Sequence, residues 1–142
     1  MKFCALLLCI AAPAFSAEKA RVSFVRDIVP ILTKSGCATS SCHGSIRGQA
    51  GFKLSLFGYE PEADFDAITK AAEGARINRA EPEKSVVLLK PTYQQQHGGG
   101  ERFKPGSLEY NAILAWIRQG APFDSPGSPR IQIGRASCRE RV

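Results

Sequence analysis

The sequence predicts a small, mainly α-helical domain in which long loops join short helices. Apolar residues recur at helical spacing in two segments, 23–35 and 107–119. Ten of the 13 glycines and four of the 9 prolines lie between these two segments, so no long continuous helix is expected there. A domain of this size has a modest core, which a covalent cofactor would reinforce.

Four segments are predicted to be helical from their apolar spacing and their start and stop residues. Ser23 and Ser107 are candidate N-caps for the first and last segments. Pro30 lies inside the first segment, where it is expected to kink or shorten the helix. The predicted helices are 23–35, 62–73, 82–90 and 107–119, and their stop residues are Gly36, Gly74, Pro91 and Gly120.

The two ends of the chain are predicted to lie outside the domain. Residues 1–17 combine one lysine with an apolar run too short to span a bilayer, which is typical of a secretory signal peptide. The mature protein is therefore expected to be exported, to the periplasm or the extracellular space. Residues 133–142 resemble the translation of a common sequencing adapter, with a basic tail as the alternative. The Pro/Gly/Ser-rich stretch 124–132 is predicted to be a linker, which leaves 18–123 as the domain.

The net charge of +6 does not indicate nucleic-acid binding. The predicted signal and tail carry Lys2 and three arginines against one glutamate, so half of the charge excess lies outside the domain. No segment of the predicted mature chain is apolar over a length that would span a membrane.

Cysteine and histidine are few in the predicted domain. Residues 37–43 read Cys-Ala-Thr-Ser-Ser-Cys-His, which is the order of the covalent haem-attachment run C-x-x-C-H with two additional residues between the cysteines. Two thiols can form thioethers with haem vinyl groups, and the adjacent imidazole can bind the iron. Outside the two ends, the cysteines and histidines are Cys37, Cys42, His43 and His97.

His97 is the candidate second axial ligand. Met1 is the only methionine and leaves with the signal peptide, so a methionine–histidine pair is excluded. Three glycines follow His97 and would let the backbone approach a haem face closely. Two histidines would give a low-spin iron with a lower potential than methionine ligation. The alternative is a histidine in a solvent-exposed loop.

Other chemistry fits the same residues. An exported chain permits a Cys37–Cys42 disulfide, which would make it a haem-free binding or structural module. A zinc site has suitable donors, but adjacent Cys42 and His43 would not easily reach one tetrahedral metal, and reduced thiols do not suit an oxidising compartment. His97-Gly-Gly-Gly is similar to an esterase oxyanion loop, yet no G-x-S-x-G is present, so no enzyme is predicted. Four cations can pair with haem propionates, and none of them is assigned as a site: Arg76, Arg79, Arg102 and Lys104.

Five stretches of the domain resemble the planctomycete-type cytochrome c family, in the branch whose attachment run is C-x-x-x-x-C-H. They are residues 24–32, 36–44, 51–58, 97–100 and 115–122. The resemblance implies a cytochrome c-like helical fold and one covalent haem c, with its iron, bound by Cys37, Cys42 and His43. It implies electron transfer by an N-terminal module of a larger exported protein. The partner would be a redox protein or the missing C-terminal domains, and any catalytic domain would lie beyond this fragment.

Overall fold

The first helical segment begins at a serine cap and changes geometry beside a proline. In the computed structural model, which describes residues 21–124, the Ser23 hydroxyl accepts a backbone N–H of the first turn at 3.0 Å. A π-helical turn, Phe24–Ile28, leads directly into helix α1, Val29–Lys34. Pro30 lies in the first turn of α1, and because the helix continues from the π-helical turn, its missing N–H removes one backbone hydrogen bond at this junction. The predicted helix is therefore present, with a change of helix type just before the proline.

Two of the remaining helices are shorter than the sequence predicts. The structure gives α2 as Pro61–Thr69, α3 as Val86–Leu89 and α4 as Leu108–Arg118. Ala72 and Glu73 adopt positive φ angles of 53° and 56°, so the α-helix predicted for 62–73 ends early and a 3₁₀ turn follows. Ser85 is extended and separates α3 from the preceding 3₁₀ turn. The last helix agrees closely with its prediction, because Ser107 caps it as expected.

The prediction of a small, mainly α-helical domain with long loops is confirmed. Among residues 21–124 there is no β-strand, only one isolated bridge between Gln49 and Phe52. No helix in this part of the chain is long and apolar enough to cross a membrane. The predicted signal peptide, the linker after residue 124 and the adapter-like tail lie outside the described residues.

Aromatic side chains from three helical segments form the centre of the core. Trp116 of α4 is fully buried, and its ring centroid lies 5.3 Å from that of Phe24 and 6.3 Å from that of Phe65. Its indole N–H donates to the carbonyl of Pro122 at 2.9 Å, so the polar atom of this large side chain is satisfied. Cys37 belongs to the same buried cluster. The helices therefore hold the start of the Cys-Cys-His loop against the core.

A buried carboxylate joins α2 to the loop that precedes it. Asp64 is 1% exposed and accepts hydrogen bonds from the backbone N–H of Ser55 and, at 2.8 Å, from its hydroxyl. Burial, together with the nearby charge of Glu60, raises the pKa of Asp64, although the hydrogen bonds from Ser55 act in the opposite direction. This carboxyl group therefore gives the folded state a dependence on pH.

We expect Asp64→Asn to alter how stability varies with pH. Because the folded-state pKa of Asp64 is raised, the folded chain holds its proton more tightly than the unfolded chain does. The free energy of unfolding should then decline as the pH rises from 3.8 through the raised pKa, and asparagine, which is uncharged, should lack this decline. Urea unfolding across this pH range measures it, with exposed Asp66→Asn as the control. A difference between wild type and Asp64→Asn that stays constant with pH would contradict the prediction.

Candidate cofactor site

The four predicted site residues line a single cavity of about 740 Å³. Cys37, Cys42 and His43 reach it from the loop after α1, and His97 reaches it from the loop between α3 and α4. The volume is within the range of about 300–1,000 Å³ that is usual for cofactor and small-molecule sites. The fold therefore brings together residues that are distant in the sequence.

The two additional residues of the attachment run form an outward turn. The Cys42 and Gly44 backbone N–H groups both donate to the Thr39 carbonyl at 3.0 Å, while Ser40 and Ser41 are exposed. The His43 N–H donates to the Cys37 carbonyl at 3.0 Å and closes the turn. The wide spacing therefore leaves both cysteines beside the same cavity.

Close packing fixes two residues at the edges of this turn. Ala38, at the start of this turn, is 1% exposed and packs in the core. A Cβ atom on Gly44 would lie 2.3 Å from the Ala38 carbonyl oxygen, so only glycine fits there. The outward turn therefore consists of residues 39–41.

The two thiols are free in this structure, with no disulfide between them. Cys37 is buried, and burial raises the pKa of its thiol to about 11, so it is protonated at neutral pH. Cys42 is half-buried, and an Arg102 Nη2 donates to its Sγ at 3.4 Å. Both sulfurs therefore lie at the wall of the cavity.

The two histidines face each other across the site. Their ring centroids are 6.2 Å apart and their planes differ by 11°. His43 Nδ1 lies 3.0 Å from the Phe52 carbonyl oxygen, and His97 Nδ1 lies 2.9 Å from that of Gly100. A carbonyl only accepts hydrogen bonds, so each Nδ1 is the donor and each Nε2 keeps its lone pair for a ligand. Burial also lowers the pKa of His43, which favours the neutral imidazole that binds metals.

This separation fits one metal ion between two imidazoles. With the metal in line between the two Nε2 atoms, a metal–nitrogen bond of about 2 Å and about 1.2 Å from each nitrogen to its ring centre give about 6.4 Å between centroids. Haem iron needs only these two protein ligands, since the porphyrin supplies four nitrogens. No three His, Cys, Asp or Glu side chains within residues 21–124 are close enough to hold an ion, so these residues do not form a tetrahedral zinc site. The residues present therefore fit a haem.

Close packing also shapes the loop that carries His97. A Cβ atom on Gly99 would lie 2.9 Å from His97 Cε1 and 3.1 Å from Arg102 Nη2. A side chain at this position would therefore displace the His97 ring or the Arg102 guanidinium. His97 is half-buried at the cavity wall, unlike the alternative of a solvent-exposed loop histidine.

Phe52 contacts His43 through both its backbone carbonyl and its ring. Its carbonyl orients His43, and its ring centroid lies 4.6 Å from that of His43. Phe52 lines the cavity, whereas Leu56 and Phe57, which follow it in the same apolar run, are exposed. A backbone carbonyl has no residue-specific signal, so the sequence could not have shown this contact.

The structure divides the four cations that were considered for haem propionates. Arg76 and Arg102 line the cavity, whereas Arg79 and Lys104 are exposed and lie outside it. Lys90, which the sequence did not single out, also lines the cavity. A single lysine after a short helix has no pattern that distinguishes it from a solvated surface charge.

Together these residues form one donor set around the cavity. It contains two free thiols, two imidazoles with available Nε2 atoms, and three cations. Such a set can hold a flat ligand covalently through the thiols and axially through the imidazoles. No protein-family model, curated protein or solved structure matches this chain.

Proposed function

We propose that this chain contains a c-type cytochrome domain that binds one covalent haem and transfers electrons. The observation that carries the proposal is the pair of facing imidazoles, His43 and His97, beside Cys37 and Cys42 in one cavity. A disulfide or a zinc site would not require two histidines held 6.2 Å apart by separate carbonyls.

Each residue of the set has a role in this proposal. Cys37 and Cys42 would hold the haem through thioether bonds, and His43 and His97 would bind its iron. When bound, the haem supplies a centre that gains and loses one electron. The carbonyls of Phe52 and Gly100 fix the two imidazoles through their Nδ1 atoms and increase the basicity of the ligating nitrogens. Two imidazole ligands set a lower potential than a methionine–histidine pair.

The rest of the proposal concerns the protein as a whole. We infer from residues 1–17 that the protein is exported to the periplasm or the extracellular space. The resemblance to planctomycete-type cytochromes c supports a role as a module of a larger protein. Its electrons would pass to or from a redox partner protein or C-terminal domains, and the described domain would not itself be an enzyme.

Covalent attachment is tested by expressing the chain with a c-type maturation system. We expect the intact mass of the processed chain to exceed that of the polypeptide by one haem, and the denatured product to give the pyridine haemochrome spectrum of a haem with two thioethers. A Cys37→Ala/Cys42→Ala variant should carry no covalent haem, whereas Cys138→Ala should retain it. A wild-type mass two hydrogens below that of the bare polypeptide would instead support the disulfide-containing, haem-free module.

A further inference from the structure

The charged side chains that line the cavity are cations, apart from the titratable histidines and cysteines. Arg76, Lys90 and Arg102 line it, and none of its lining residues is an aspartate or a glutamate. Within residues 21–124, none of these three cations is ion-paired with a carboxylate. A half-buried group of unpaired cations favours an anionic ligand.

Arg76 is held in place by neutral groups. Its two terminal nitrogens donate to the carbonyls of Gly51, Ala67 and Ala71 at 3.1–3.2 Å, and its guanidinium lies 4.6 Å from the centroid of the Phe52 ring. These contacts fix its position without neutralising its charge. Arg76 is therefore a pre-positioned cation at the cavity wall.

The three cations occupy two parts of the wall. Arg76 lies over the ring of Phe52, whose centroid is 4.6 Å from that of His43, and Lys90 lines the same cavity. Arg102 instead contacts Cys42 and acts electrostatically on Cys37. In a haem, the vinyl groups that react with thiols and the two propionates occupy different parts of the porphyrin edge. The carboxylates are therefore expected away from Arg102.

We propose that Arg76 and Lys90 bind the two carboxylates of the tetrapyrrole and so set its orientation within the cavity. This inference rests on the proposed function. It gives the site a specificity for a dicarboxylate tetrapyrrole that is independent of the thioether bonds. Arg102 acts at the thiol edge and is not part of this subsite.

Equilibrium binding separates this contribution from covalent attachment. The full chain with Cys37→Ala and Cys42→Ala is titrated with ferric protohaem and with its dimethyl ester, in which both carboxylates are neutral. We expect the free acid to bind at least about tenfold more tightly than the ester, because two charge-assisted contacts are lost in the ester. The absorption spectrum of the bound species reports whether both imidazoles ligate the iron.

Lys90→Met in the same background should reduce this preference for the free acid, because Lys90 has no carboxylate partner to lose. Lys84→Met is the matched control, since Lys84 is paired with Glu81 at 2.6 Å and lies outside the cavity, and it should leave the preference unchanged. Circular dichroism verifies that each variant folds.

Two results would overturn the inference, and only one of them would also overturn the proposed function. Equal affinity for acid and ester, with the bis-imidazole spectrum present, would overturn the carboxylate subsite and leave the proposed haem function intact. Absence of that spectrum with both ligands would overturn the function and the subsite together.

Discussion

In the cytochrome domain proposed above, replacing His97 by alanine is expected to change the haem iron from low-spin to high-spin while the haem stays covalently attached. His97 contributes one of the two imidazoles whose centroids are 6.2 Å apart, and no methionine is present in the domain to replace it. The attachment residues Cys37, Cys42 and His43 lie on a different loop, so their chemistry should continue. Absorption and electron paramagnetic resonance spectra of the matured protein measure the change of spin state.

Added imidazole is expected to restore the low-spin spectrum of the His97→Ala protein, because the vacated position opens into the cavity. Gln96→Ala is the matched control, since Gln96 is the exposed preceding residue on the same loop and also lines the cavity. Its spectrum should remain low-spin. A low-spin spectrum of His97→Ala without added imidazole would show that His97 is not an axial ligand.

The four candidate residues could be selected from the sequence because their chemistry is local. Cys37, Cys42 and His43 lie within residues 37–43, and His97 is the other of the two histidines in the sequence. What could not be predicted was the relation between the two loops. The centroid separation and the Nδ1 hydrogen bonds depend on backbone carbonyls at Phe52 and Gly100, which any residue provides.

Helix bounds were likewise predicted well where local residues set them and poorly where tertiary contacts did. The cap at Ser107 and the stop at Gly120, which has a φ of 91°, are local, and the last helix was predicted closely. The middle helices were predicted too long because tertiary contacts override their propensity. Ser85, for example, is fully buried and its hydroxyl accepts the Asn78 N–H at 3.0 Å, which holds an extended residue inside an otherwise helical pattern.

Replacing Trp116 by alanine is expected to cause a large loss of stability. Trp116 is fully buried between Phe24 and Phe65, and its truncation removes both aromatic contacts and leaves a cavity. Substitutions of this kind cost about 3–5 kcal/mol, which is comparable with the total of about 5–15 kcal/mol that stabilises an ordinary domain. Urea unfolding of the haem-free chain, followed by circular dichroism, measures the loss.

The controls separate lost packing from lost hydrogen bonding. Tyr59→Ala removes an aromatic ring that is 87% exposed and should change the free energy of unfolding by no more than about 0.5 kcal/mol. Trp116→Phe keeps a ring between Phe24 and Phe65 but loses the hydrogen bond to Pro122, so it should fall between wild type and alanine and give a measurable transition if Trp116→Ala does not fold. A loss below about 1 kcal/mol for Trp116→Ala would mean that these rings do not form the centre of the core. Cys37 packs in the same buried cluster as Trp116. If that cluster contributed little to stability, residues 37–43 would need another contact, such as the proposed haem, to hold their position.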